Sequence, residues 1–317
     1  MQGPEPRPEV FRSYWRFAAE RQMIFARRLE GVPPPWTEDP ILREYRFCNV
    51  FRASDRVSQA LIAAAYACDD FTAEDLVLRT VLFRLFSRPA TWELIESEAG
   101  LLTVASFDEG QIGEVLDQAF EEGQRLYTAA FILCANDAYG HRRKHRNHLA
   151  LVAAMLDAGL PARLEAAPSL RSVYDLLVEW PLIGPFMAYQ LAIDLNYSPL
   201  LDFGENEFTV PGPGALRGLR KVFADLGDLA PADAVHWLVD YQGTVEAELG
   251  TATPTLFGRP LHAIDCQNLL CEVDKYCRVA FPDLESARTR IKQRFRPDPE
   301  PLHLAFPPKW GIDTPCP

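Results

Sequence analysis

Long apolar runs, CxxC pairs and an excess of basic residues are all missing from this sequence of 317 residues. Without a run of about 18 apolar residues, no membrane-spanning helix is expected. The seven cysteines are scattered and odd in number, so we expect reduced thiols in a cytoplasmic protein. Their spacing fits no zinc or iron-sulfur motif, so no metal and no cofactor are predicted. Arginines interrupt the apolar positions of the N-terminal segment, so no signal peptide is expected.

The formal net charge of −12 counts against a nucleic-acid partner, because Lys and Arg supply most non-specific affinity for phosphates. The cations are nevertheless grouped, and the acids are spread along other helical faces. This grouping predicts a basic groove on an acidic body, although solvated helix faces would look the same. The groups with predicted DNA contacts are Arg142, Arg143 and Lys144, and Arg217, Arg220 and Lys221.

Apolar residues recur at spacings of three and four through most of the chain, and strand patterns are scarce. We therefore predict an all-α fold, with one composite unit over 1–297 that has two helical lobes, and a Pro-rich tail over 298–317. The predicted helices are 9–30, 54–68, 73–87, 91–98, 110–125, 142–158, 169–179, 184–196, 213–226, 231–249, 261–280 and 283–295.

A helix-hairpin-helix is predicted near 170–196. A helical run is followed by a tight apolar turn with Gly184 and by a second helix, whose free N–H groups suit a DNA phosphate. The match is incomplete, because Leu182 occupies the place of the first hairpin glycine. An ordinary helical turn is the alternative.

Eighteen residues beyond Gly184 comes Asp202, and this arrangement resembles the helix-hairpin-helix DNA glycosylase superfamily. The resemblance implies a carboxylate at the mouth of a base pocket, where it stabilises positive charge on the deoxyribose. Glu205 and Glu207 compete for the role, and each could instead be a loop acid that caps the next helix. Phe186 stands where lyase-active members carry Lys, which implies a monofunctional glycosylase.

The next segment, 209–221, contains two glycines that open a helix, Gly212 and Gly214, followed by three cations. Free N–H donors and positive charge at a helix start favour an anion, and the best candidate is a DNA phosphate. A nucleotide P-loop is excluded, since no Gly-Lys pair follows. A plain Gly-rich turn is the alternative.

Residues 261–278 place Asp265, Asn268 and Glu272 on one face of a predicted helix. Such a polar row on an apolar helix could contact a base or sugar, or it could tie helices together. Asp265 and Glu272 are further candidates for the catalytic acid. The other candidates for a base pocket are Gln267, Lys275 and Tyr276, and, near the N-terminus, Arg52, Asp55, Arg56 and Gln59.

Several segments together resemble the alpha-glutamyl/putrescinyl thymine pyrophosphorylase family over about 10–297. They are the N-terminal candidates, 202–208, 211–221, 264–276 and 290–297. This resemblance implies enzymes of hypermodified phage DNA. Some members install amino acids or polyamines on activated 5-hydroxymethyl pyrimidines, and others are antiviral glycosylases that excise glucosylated hydroxymethylcytosine.

We expect the glycosylase, because the sequence has no DxD cluster or Walker loop for pyrophosphate and metal. The expected substrate is double-stranded phage DNA with modified bases, bound by a monomer that leaves abasic sites. The alternatives are the transferase and a non-catalytic DNA-binding protein. Base flipping also requires a wedge to fill the gap. The aromatic candidates are Trp36, Phe51, Tyr189 and Tyr197.

Overall fold

The computed structural model describes residues 2–66, 70–128, 137–286, 288–298, 302 and 304–312. Helices dominate these residues, which confirms the all-α prediction. The chain forms two compact units. Unit 1 consists of Met1–Asp55 and Phe208–Leu304, and unit 2 consists of Arg56–Glu207 and Ala305–Cys316.

Unit 1 is assembled from both sides of unit 2 in the sequence. Its helices are α1 (Pro8–Leu29), α2 (Pro40–Glu44), α11 (Pro213–Val222), α12 (Pro231–Tyr241), α13 (Val245–Leu249) and α14 (Ala263–Ala280). Two short strands, β1 (Glu5–Pro6) and β2 (Phe223–Asp225), pair antiparallel. α14 lies centrally and packs against α1, α11 and α12. Its neighbours contribute fully buried aromatic side chains such as Trp15 on α1.

Close packing of α11 on α14 explains two glycines of the 211–221 segment. A Cβ on Gly218 would lie 2.1 Å from the Leu270 carbonyl oxygen, and one on Gly214 would lie 2.3 Å from the Cys271 Sγ. No side chain fits at either distance. These glycines let two helix backbones approach each other.

Unit 2 holds the remaining helices and the last described segment of the chain. Its helices are α3 (Arg56–Ala65), α4 (Ala73–Phe86), α5 (Pro89–Ala99), α6 (Glu109–Glu121), α7 (Lys144–Asp157), α8 (Leu160–Glu165), α9 (Leu170–Val178) and α10 (Pro185–Tyr197). α4 is its core helix: every residue from Asp75 to Phe86 is buried. Buried Arg84 on α4 donates to both carboxylate oxygens of buried Asp194 on α10, at 2.6 and 2.9 Å.

Three predicted helices differ from the structure. The 283–295 segment is not helical where described, and it bridges to Tyr45 through Arg294. Pro282 stops the preceding helix, and the arginine-rich sequence offers too few apolar positions to bury. The 231–249 helix breaks at a turn after Tyr241, and 223–225 forms β2 instead of continuing α11. The short helices α2 and α8 were not predicted.

Four cysteines, Cys48, Cys266, Cys271 and Cys277, are free thiols in the described residues. Cys68, Cys134 and Cys316 lie outside them. No described helix is both long and apolar enough to cross a membrane. Nor do the described residues bring three side chains of the metal-ligating types together.

Candidate functional site

The polar row of α14 lies against an irregular segment of unit 1, residues 45–55. Asp265 Oδ1 accepts from the Arg52 N–H at 2.7 Å. Asn268 Nδ2 donates to the Asn49 carbonyl at 2.7 Å. Backbone groups outside helices need such partners when buried, so much of the row holds the protein's own chain in place. This arrangement favours the structural alternative for Asp265, whose other oxygen caps the start of α14 at the His262 N–H.

Glu272 extends this row into a charged group. Its Oε2 accepts from the Cys48 N–H at 2.9 Å and pairs with Lys275 Nζ at 2.5 Å. Across from it, Arg21 of α1 donates through Nη2 to the Asn49 side chain at 2.5 Å. Arg21, Asn49, Asp55, Glu272 and Lys275 are called the Arg21 cluster below. All but Glu272 are partly exposed.

One donor of the cluster is unused. Arg21 Nη1 is buried and has no hydrogen-bond partner among the described residues. Burial lowers the pKa of Arg21 to about 10, although the nearby Cys48, Asp55 and Glu272 oppose the shift. The guanidinium is therefore charged at neutral pH. A buried cationic N–H without an acceptor costs free energy unless a ligand oxygen reaches it.

Two other members of the Arg21 cluster, Lys275 and Glu272, carry opposite charges side by side. Burial alone would lower the pKa of Lys275, but the adjacent Glu272 carboxylate outweighs it and raises the pKa. Burial raises the pKa of the Cys48 thiol, with Glu272 adding to the effect, so the thiol stays protonated. The cluster thus places cationic N–H donors and carboxylate acceptors close to one another. Such a set suits a small polar ligand with both carbonyl and hydroxyl groups.

Three further base-pocket candidates are bonded within unit 1. Gln267 donates to the Val210 carbonyl at 2.9 Å and accepts from Gly212 N–H at 3.3 Å, so it fixes the loop before α11. Tyr276 donates its hydroxyl to Asp39 at 2.7 Å. The Arg52 side chain is buried.

The predicted catalytic loop lies in unit 2. Asp202 has 93% of its side chain exposed and pairs with Lys309 at 3.3 Å. Glu207 is also exposed and accepts from the Gly204 N–H, whereas Glu205 is half-buried. The role of Asp202, Glu205 or Glu207 as a catalytic acid stays a prediction.

Two of the predicted phosphate contacts are bonded to a buried carboxylate. Lys221 is buried and pairs with Asp274 at 3.0 Å, and Arg217 pairs with the same carboxylate at 3.1 Å. Arg278 completes the group at 2.6 Å. Their charge is used within unit 1. Arg220, by contrast, is exposed.

The basic run 142–144 of unit 2 likewise contains both paired and exposed cations. Arg143 pairs with Asp117 and Glu121, and Lys144 lies over the Tyr127 ring at 4.1 Å from its centroid. Arg142 is exposed.

The turn between α9 and α10 has an unusual backbone. Leu182 adopts a φ of 70°, in the left-handed region that favours glycine. This is the position where the helix-hairpin-helix pattern has its first glycine. Gly184 precedes α10 and is exposed, so the helix begins at the surface of unit 2. The helix-hairpin-helix itself stays a prediction.

None of the predicted wedge residues is exposed. Trp36, Phe51, Tyr189 and Tyr197 keep 5% or less of their surface accessible. Two base-pocket candidates, Arg56 and Gln59, belong to unit 2. Gln59 bonds both backbone groups of Ala305, at 2.7 and 2.8 Å, and so anchors the C-terminal segment.

Arg21 and Asn49 were absent from the predicted site. A signal for Arg21 was available, since it lies on the apolar stripe of α1, four residues after buried Phe17 and four before buried Phe25. A cation at such a position requires a buried partner or a ligand.

Comparison with known proteins places these features in a family. Residues 8–286 match the model of the 5-hmdU DNA kinase helical domain. A 5-hmdU DNA kinase of Bacillus phage SP10 is 28% identical over 295 residues, which cover 86% of this chain and 46% of the relative. The chain thus spans about half of that relative's length. No solved structure matches.

These matches overturn one prediction. The monofunctional DNA glycosylase, a hydrolase of N-glycosidic bonds, is wrong, because the matched family is the helical domain of 5-hmdU DNA kinases and the named relative is a kinase, which is a transferase. The broader expectation, an enzyme family of phage DNA with modified pyrimidines, is supported. The narrower resemblance to thymine pyrophosphorylases stays a prediction. The chain belongs to the family of 5-hmdU DNA kinase helical domains.

Proposed function

We propose that this chain binds DNA containing 5-hydroxymethyldeoxyuridine and supplies the acceptor side of phosphoryl transfer to the hydroxymethyl oxygen. The match of residues 8–286 to the helical domain of 5-hmdU DNA kinases carries the proposal. The Arg21 cluster lies within the matched residues and is the proposed site for the modified base.

The acceptor role follows from what the sequence contains. Phosphoryl transfer from a nucleoside triphosphate commonly uses a Walker A loop, whose lysine follows a glycine. This sequence has no Gly-Lys pair, and it covers 46% of the kinase relative. Binding of the modified base is therefore the part of the reaction that we assign to this chain.

The chemistry of the base fits the cluster. The uracil ring presents carbonyl oxygens, which accept from cationic donors such as Arg21 Nη1 and Lys275. The hydroxymethyl group presents an O–H donor, which a carboxylate such as Asp55 can accept. When the oxygen attacks the terminal phosphorus, the O–H proton passes to that carboxylate, a P–O bond forms, and the nucleoside diphosphate leaves. Positioning of the hydroxyl against a base is the protein's main contribution to such a step.

One observation, the unused Arg21 Nη1, favours a second candidate function, the transfer of an amino acid or polyamine. A buried cationic donor also suits a phosphoester on the hydroxymethyl carbon, which is an activated pyrimidine. The chain would then serve an amino-acid or polyamine transferase, in which the attacking amine displaces that phosphate group.

Binding to matched duplexes tests both candidates. Fluorescence anisotropy at fixed salt compares duplexes with one central thymidine, 5-hydroxymethyldeoxyuridine or its phosphate ester. The proposal predicts at least about tenfold tighter binding to the hydroxymethyl duplex than to thymidine, or roughly 1.4 kcal/mol. Equal affinity for these two duplexes would contradict it. Tightest binding to the phosphate ester would instead support the second candidate.

A further inference from the structure

A basic segment near the end of unit 1 carries a cation at every second position. Residues 286–297 include five cations and no acidic residue, although the chain as a whole has a formal net charge of −12. The five cations, called the cation row below, are Arg288, Arg290, Lys292, Arg294 and Arg296. On a helix this spacing would distribute the side chains around the axis, whereas on a strand it places all of them on one face.

The backbone of this segment follows the strand-like arrangement. Residues 288–298 contain no helix, turn or bend. Two backbone hydrogen bonds of 3.0 Å join residues 293–295 antiparallel to residues 44–46. Side-chain burial agrees, because Ile291 and Phe295 are half-buried while all five members of the cation row are exposed. The face with odd numbers is thus partly covered by unit 1, and the opposite face presents the cation row to solvent.

Most of the cation row is not used within the fold. Arg294 pairs with Glu44 and lies over the Tyr45 ring, 4.8 Å from its centroid. The members whose side chains have no hydrogen bond or ion pair to another described residue are Arg288, Arg290, Lys292 and Arg296. An exposed cation needs no partner for stability. Protein surfaces normally mix both signs of charge, however, so hydration alone does not explain strict alternation without an acidic residue.

We propose that the cation row binds neighbouring phosphates along one strand of DNA. The inference rests on the proposed function and adds the surface on which the DNA backbone lies. Alternate residues of a strand are about 6.4–6.8 Å apart, a spacing similar to that of neighbouring phosphates in a nucleic-acid strand. Arginine also binds phosphate oxygens through two parallel N–H groups.

DNA is the polyanion that these observations favour. The adjacent residues 8–286 match a family that is named for DNA. An acidic protein repels DNA over most of its surface, so its contacts with phosphates must be concentrated where acidic residues are missing. The cation row is such a place. Contacts with phosphates supply affinity and register without reading the base, whose recognition we assign to the Arg21 cluster.

The salt dependence of binding tests the cation row. Fluorescence anisotropy measures the affinity of the 317-residue chain for the hydroxymethyl duplex at several salt concentrations. A fourfold variant replaces the unpaired cations, Arg288→Gln, Arg290→Gln, Lys292→Gln and Arg296→Gln. Its slope of log affinity against log salt should be smaller by about 3.6, because each phosphate contact contributes about 0.9. The control Arg12→Gln, which removes an exposed cation of α1, should keep the wild-type slope. An unchanged slope in the fourfold variant, or an equal loss per cation in the control, would overturn the proposal.

Neutral phosphates show whether the contacts follow one strand. Methylphosphonates remove the charge of single phosphates at successive positions of the duplex. Wild-type protein should lose affinity severalfold at a run of neighbouring phosphates on one strand, and the fourfold variant should be insensitive at the same positions. Sensitive positions that are scattered over both strands, or that stay sensitive in the fourfold variant, would contradict the proposed contact.

Parallel measurements separate the cation row from the base site and from other partners. Selective binding of the hydroxymethyl duplex without a change of slope overturns only the cation row. Equal affinity for hydroxymethyl and thymidine duplexes, with the expected loss of slope, overturns only the proposed function, and a wild type that binds neither duplex overturns both. The Tm of the fourfold variant should match that of wild type, because all four side chains are exposed. A Tm lower by several degrees would assign the row to folding. Polyglutamate that displaces the duplex as effectively as unlabelled DNA would assign it to an acidic protein instead.

Discussion

Two groups of charged residues around α14 differ in how their charges are paired. Asp274 is fully buried and surrounded by Arg217, Lys221 and Arg278, all within 3.1 Å. In the Arg21 cluster, Glu272 has one ion-pair partner within 4 Å, and Arg21 leaves a buried donor unused among the described residues. The first group is called complete below, because each of its three cations forms an ion pair with Asp274, although Arg278 Nε has no hydrogen-bond partner among the described residues. The second group is called open, because Arg21 donates to the Asn49 side chain and its Nη1 has no acceptor among the described residues.

Two of the cations around Asp274 also donate to acceptors other than its carboxylate. Lys221 also donates to the Asp274 carbonyl and to Ser286, and Arg278 donates to the Arg290 carbonyl. Lys221 and Arg278 therefore each have more than one acceptor within the protein. Buried charges that stabilise a fold are paired in this way.

The largest expected effect is on the complete group. Asp274→Ala leaves three cations without their shared carboxylate, and the loss of one partner of a buried ion pair costs about 3–5 kcal/mol. We expect the free energy of unfolding, measured by urea denaturation, to fall by about this amount. The control Asp175→Ala breaks an exposed pair with Arg171 and should cost roughly 0.5 kcal/mol or less. A similar small loss for Asp274→Ala would refute the contrast.

The second effect concerns the open group. Arg21→Met keeps the apolar stem and removes the unused donor. We expect the preference for hydroxymethyl over thymidine duplexes to fall by about 10- to 100-fold, or roughly 1.4–2.8 kcal/mol. The loss of unfolding free energy should be smaller than that of Asp274→Ala. Arg171→Met, a substitution of an exposed arginine in unit 2, should keep the preference. If selectivity survives in Arg21→Met, the base site lies elsewhere.

Acid should weaken the complete group. Burial alone would raise the pKa of Asp274, but hydrogen bonds from Arg278 and Lys221 outweigh it and lower the pKa below its ordinary value. Its contribution to stability is therefore fully present above about pH 3.9 and disappears as the pH falls through the lowered pKa. The difference in unfolding free energy between wild type and Asp274→Asn should narrow over that range. A constant difference would show that this carboxylate is not the titrating group.

The smallest expected effect is on the salt dependence of DNA binding, and it distinguishes two arginines of α11. Arg220 is exposed, whereas Arg217 is bonded to Asp274. If α11 meets DNA, Arg220→Ala should reduce the slope of log affinity against log salt by about 0.9, the value for one phosphate contact. Arg217→Ala should leave the slope unchanged. Equal changes would mean that Arg217 exchanges its carboxylate for phosphate.

Much of the fold could be predicted from local sequence, because apolar periodicity reports which face of a helix is buried. The α14 row illustrates the limit. Its spacing correctly placed Asp265, Asn268 and Glu272 on one face, but the partners of that face come from residues more than 200 positions away. Periodicity reports the face and not its partner. The structural and ligand-binding alternatives therefore remained open.

The glycines of α11 show a similar limit. Gly214 and Gly218 are four residues apart on one helical face, a spacing that allows close packing as well as phosphate binding. The structure shows close packing against Leu270 and Cys271. In the same way, no sequence pattern indicates that Lys221 and Asp274 pair across 53 residues. The sequence alone does not show which cations are paired within the fold and which are available to bind DNA. The packing of the helices decides this.

The discontinuity of unit 1 has a consequence for synthesis of the chain. α1 is translated before residues 56–207, whereas its partner α14 emerges after them. At typical elongation rates this interval lasts roughly 10–45 s. During that time the apolar face of α1, with Trp15 and Phe17, has no native surface of α14 to cover it. In newborn chains the α1 segment should therefore depend on chaperones more than the α3 to α10 segment, whose helices follow one another without interruption.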